Sequence, residues 1–160
     1  MKNHVNFNFS TFLAVLMLAI ICLPTQAGAA TWSERKLDKA ILKIDRDLTR
    51  KRWDKVITRS QKAIPQCIAR HGDTNQMCIV MLRNINRSYE ETRRFNPYHG
   101  QIESAYKLAS QVFGKAHSTT VKTRDYYYKF LIFTEDYAAA IPLVKEIIEL
   151  EEAGPGDEYR

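Results

Sequence analysis

Lys122, Tyr126, Lys129 and Phe133 follow one another at spacings of four, three and four. On a helix that spacing lines all four along one face. Two cations interleaved with two aromatics could hold an extended or helical peptide, ideally an acidic one, through side-chain anchors and charge-assisted hydrogen bonds. Packing of Tyr126 and Phe133 against a neighbouring helix is the structural alternative. Arg83, Arg87, Glu90 and Arg94 form a second stripe, opposite the apolar face of their own segment. The candidate peptide-binding residues are therefore Arg83, Arg87, Lys122, Tyr126, Lys129 and Phe133.

Other chemistry-bearing residues are sparse. His71, His99 and His117 have no cysteine or carboxylate at metal-ligand spacing, so they read as loop or capping residues and no metal site is expected. The sequence has no Ser-His-Asp ordering with a nucleophile elbow, no Gly-rich phosphate loop and no paired-carboxylate motif. The expectation is a binding protein, not an enzyme, with no cofactor.

Residues 1–29 have the three-part layout of a cleavable secretory signal: Lys2, an apolar run over 9–23, then small residues. Cleavage is expected within residues 27–30, with the product periplasmic or secreted. The apolar run is shorter than the roughly twenty residues of a spanning helix, so no stable membrane span is expected after cleavage. Loss of Cys22 with the signal leaves Cys67 and Cys78 in an oxidising compartment. They flank the turn at residues 71–73, each about one helical turn away, and are expected to form a disulfide.

The net charge of +6 is uneven. Residues 31–94 carry 16 Lys/Arg against 8 Asp/Glu, and residues 95–160 carry 7 against 10. A basic first half favours an anionic partner and opens a second function, binding an anionic polymer or a membrane surface. No specific nucleic-acid site is expected.

The elements that must position these residues are all helical. Residues 31–34 fit a capping box ahead of Leu37, Ala40, Ile41, Ile44 and Leu48, with Lys36, Lys39, Lys43, Arg46 and Arg50 on the opposite side. Further helices are expected at 53–70, where Pro65 should kink or split the segment, from Asp73 to Asn96-Pro97, and at 98–113, 119–134 and 137–152. Trp53, Tyr98 and Tyr137 each precede an isoleucine by four residues and lie 45 and 39 residues apart, averaging 42. A period in that range marks stacked helical hairpins.

From Ala105 onward the sequence resembles a tetratricopeptide repeat of the kinesin-light-chain type. The residues that carry it are the loop Gly114-Lys115-Ala116-His117-Ser118-Thr119-Thr120, similar to that family's Gly-x-x-His-Pro-x-Thr, and Tyr137, Ala140, Pro142 and Leu143, matching its Tyr-x-x-Ala-x-Pro-Leu. Ser118 replaces the loop proline, and Tyr128 stands where a small residue is usual. The resemblance implies an all-α fold of three antiparallel hairpins over residues 31–152, stacked as a right-handed tetratricopeptide-like solenoid, and a scaffold or adaptor that binds a protein or peptide in its groove. Residues 153–160 resemble an inter-repeat loop. The apolar residues of the last helix are expected to stay partly exposed, a surface for self-association through the C-terminal hairpin.

Overall fold

The computed structural model describes residues 31–153. The expected secretory signal at residues 1–29 and the expected loop-like tail from 154 onward lie outside the described residues. Among those described there are six α-helices and no strand: α1 Glu34–Thr49, α2 Trp53–His71, α3 Gln76–Glu91, α4 His99–Phe113, α5 Ser118–Phe133 and α6 Tyr137–Glu152. Each packs on its neighbours in sequence, and α3 also packs on α5. One apolar core runs through the array, from Leu37 and Ile44 through Ile64, Leu82 and Ile85 to Ile102, Leu131 and Leu143.

The backbone repeats with a period of 42 residues. α1, α3 and α5 begin at Glu34, Gln76 and Ser118. Each is closed by a left-handed residue, Lys51, Arg93 or Glu135, with φ of 52°, 56° and 61°. The next amide in each case reaches back to the carbonyl of Asp47, Tyr89 or Leu131, which makes three copies of a Schellman closure. α2 and α4 are closed by Gly72 and Gly114, both at φ 85°. At that φ a side chain would be strained, so glycine is required there.

Lysine, arginine and glutamate are poor residues for a left-handed position, because the Cβ crowds the following carbonyl. Replacing Arg93 with glycine is therefore expected to raise stability by about 0.5–1 kcal/mol, less the backbone entropy that glycine adds to the unfolded chain. A urea midpoint moved upward with unchanged slope would be the signature.

Several local expectations need correction. The cap of α1 is Ser33, with no side-chain cap hydrogen bond, and not Thr31. Glu34 is drawn away from a capping box by Arg70, which bonds its carboxylate and also donates to the Trp32 carbonyl at 3.1 Å. α3 is capped by Asn75, whose side chain accepts from the Met77 amide, and not by Asp73. Pro65 lies within α2 without splitting it. The aromatic that repeats with Trp53 and Tyr137 is Phe95, not Tyr98, since α4 starts late. Pro97 disfavours helical geometry at Asn96, and the missing turn is replaced by a buried polar knot. In it the Asn96 side-chain amide donates to Asn86 at 2.9 Å and to Gln101 at 3.1 Å.

Cys67 of α2 and Cys78 of α3 are joined by a disulfide, with Cα atoms 5.7 Å apart. Both cysteines are fully buried. The bond fixes α3 to α2 next to the turn, and α3 carries one wall of the candidate site.

Candidate functional site

Between α3 and α5 lies a cleft of about 290 Å³, lined by three cations, Arg83, Arg87 and Lys122, three carboxylates, Glu90, Glu91 and Asp125, and the neutral Asn86, Thr123 and Tyr126. Arg83 and Arg87 are one turn apart on α3, and Lys122 faces them from α5. Four of the six sequence-predicted residues therefore meet here. Lys129 lies just beyond, in a smaller hollow with Phe95, Arg93 and Arg94. Phe133 is in neither. It is 69 % exposed and its ring sits 4.7 Å from that of Phe95.

The charges in the cleft are unevenly matched. Lys129 Nζ donates to Glu90 at 2.7 Å and to Asp125 at 2.8 Å. Hydrogen bonds to Asp125 and then Glu90 push its pKa above the ordinary lysine value, so Lys129 is committed to those two carboxylates. Arg87 pairs with Glu91 at 3.6 Å and lies over the Trp53 ring. Among the described residues Arg83 and Lys122 have no carboxylate within ion-pair distance. Arg83 is half-buried and donates only to neutral oxygens: Asn84 Oδ1 at 2.9 Å and Thr119 Oγ1 at 3.2 Å. Burial, and then the neighbouring Arg87 charge, lower its pKa from the ordinary value. It stays protonated, since arginine starts far above neutrality.

Tyr126 is a core residue. It is only 3 % exposed, and its hydroxyl accepts the Asn96 amide at 3.1 Å. Burial, partly offset by that amide, pushes the phenol to about 12. Tyr126, expected as a ligand anchor or a packing residue, forms the floor of the cleft and holds the α3–α4 connection through Asn96. The helical spacing that grouped it with Lys122 is real, but spacing alone does not reveal that α3 covers that face.

Two features of the site were missed in the sequence. The first is the neutral partnering of Arg83 by Thr119, which lies 36 residues away. The second is an adjoining apolar cleft of about 270 Å³ on the other flank of α3, where Ile41, Met77, Val80, Met81 and Phe113 meet. Asn84, which braces Arg83, also lines that cleft. The histidines serve locally: His117 Nδ1 caps α5 by accepting the Thr119 amide, and His71 sits 3.4 Å from Glu34. Among the described residues no group of His, Cys, Asp or Glu could hold a metal ion. Nor is any described helix long and apolar enough to cross a membrane.

No family model matches this chain, and no curated protein does.

Proposed function

We propose that this is an exported interaction scaffold that docks an acidic segment of a protein partner in the α3–α5 cleft. The observation that carries the reading is Arg83: a half-buried guanidinium without a carboxylate, beside Arg87 and Lys122, opening into a cleft. An arginine so placed has given up part of its hydration and gains most from a carboxylate that arrives with a ligand. The apolar cleft on the other flank of α3 offers a second anchor for the same segment.

The fold reading goes with it. The 42-residue backbone period, the packing of α3 on α5 and the loop at residues 114–120 support a tetratricopeptide-like stack of hairpins α1–α2, α3–α4 and α5–α6. Export is supported by the signal-like leader and by a buried disulfide, which suits an oxidising compartment.

Selection from a random peptide library tests the binding reading. The wild-type protein should enrich peptides bearing Asp or Glu. An Arg83→Gln/Lys122→Gln variant of unchanged helicity should lose that enrichment, because each hydrogen bond to a charged group contributes about 1.5–3 kcal/mol. Equal enrichment by both proteins would contradict the assignment of this cleft.

A further inference from the structure

The basic side of α1 has no role in the α3–α5 cleft. Lys36, Lys39, Lys43, Arg46 and Arg50 are all exposed, and among the described residues none of the five forms an ion pair. Their spacings of three, four, three and four set them in one line along the helix. At a rise of 1.5 Å per residue the line spans about 21 Å, with a cation roughly every 5 Å. The α1 carboxylates do not interrupt it. Asp47 is buried and paired with Arg59 at 2.8 Å, Glu34 is held by Arg70, and Asp38 and Asp45 fall on a different side of the helix. Of the other cations of this hairpin, Arg35 lies beside the line on α1, Arg52, Arg59 and Arg70 are held by Asp47 and Glu34, and Lys51, Lys55 and Lys62 are exposed off α1.

From this geometry we infer that α1 is a docking strip for a linear polyanion, a chain bearing sulfate or phosphate groups at intervals of several ångströms. A narrow strip that follows one helix axis matches a row of charges. A bilayer would present a two-dimensional array of charges and would gain little from a single line. Each phosphate or sulfate neutralised releases bound counterions, so affinity should fall steeply with salt. The strip and the peptide cleft share no residue, so the two readings stand or fall separately.

The test uses the full chain and three probes: a size-defined sulfated oligosaccharide, inorganic polyphosphate, and vesicles containing anionic lipid. Five contacts predict a slope of log affinity on log salt of about −3.5, and thus roughly 100-fold weaker binding of the polymers at 200 mM than at 50 mM salt. The Lys39→Gln/Lys43→Gln/Arg46→Gln variant should cut that loss to less than about tenfold, since only two contacts remain. Lys55→Gln/Lys62→Gln should leave the slope unchanged, as should Arg83→Gln/Lys122→Gln. Preference for one polymer over the other identifies the anion. The inference is overturned if the two-lysine α2 variant changes the slope as much as the α1 variant, since that is a general charge effect. It is also overturned if only vesicles bind, or if no polymer binds at 50 mM salt.

Discussion

Replacing Glu146 with alanine is expected to destabilise the protein by about 3–5 kcal/mol, the usual consequence of stripping one partner from a buried ion pair. Glu146 of α6 is 7 % exposed and Arg124 of α5 is 6 % exposed. The carboxylate accepts from Arg124 at 3.1 Å, from the Tyr106 hydroxyl at 2.9 Å, and lies 3.2 Å from Lys115. Truncation would leave the Arg124 guanidinium buried and unpaired between α5 and α6. The Arg124→Met/Glu146→Leu double variant should recover most of the loss, since no charge then stays buried. Urea unfolding followed by circular dichroism measures both. A loss below about 1 kcal/mol for the single variant would mean that solvent reaches Arg124 freely. The pair also has a pH signature. Burial pushes the Glu146 carboxyl up, but hydrogen bonds from Tyr106, Arg124 and Lys115 outweigh it and hold it below the usual carboxylate range. Its contribution is complete above the ordinary unfolded value, and is lost as pH falls through the lower folded value.

Removing the disulfide ranks next. Cys67 and Cys78 are 11 residues apart in sequence, and closing a loop of that size stabilises by about 3 kcal/mol in the chain-entropy model. The Cys67→Ala/Cys78→Ala variant should therefore melt roughly 10 °C lower, taking a few degrees per kcal/mol for a domain of this size. The effect should reach function as well. α3 is tied to α2 by this bond and carries Arg83 and Arg87, so the variant should bind acidic peptide more weakly even where it remains folded. A variant with an unchanged melting temperature would show that the packing of α2 on α3 holds the turn without the bond.

The helices were legible because their apolar residues recur at helical spacing and their connections are short. α6 begins and ends where its pattern does, from Tyr137 to Glu152. The period was legible on average but blurred position by position. Gly72 and Gly114 mark it openly, whereas Lys51, Arg93 and Glu135 occupy left-handed positions that nothing in their type announces. Phe95 was overlooked as a repeat position because Pro97 removes the helical turn that would have followed it. The site was legible as charge and not as pairing. Helical spacing placed Arg83, Arg87 and Lys122 on exposed faces, yet which of these cations find carboxylates depends on contacts across the array. Lys129 is satisfied by Glu90, 39 residues away, while Arg83 meets only the Thr119 hydroxyl and its neighbour Asn84. For Tyr126 the spacing left anchor and packing roles open, because a residue can look surplus to its own helix and still be covered by another; it is only 3 % exposed. The apolar face of α6 stays open among the described residues, with Tyr137 58 %, Ile141 54 % and Ile148 47 % exposed.

The most direct measurement is the side-chain Nε–Hε resonance of Arg83 in nitrogen-labelled protein during titration with an acidic peptide drawn from the selection. Docking in the α3–α5 cleft predicts that this resonance moves in proportion to occupancy, together with the backbone amides of Arg87 and Lys122. An acidic peptide that saturates the protein while Arg83 stays fixed, with shifts confined to α1 or to the open face of α6, would contradict the account.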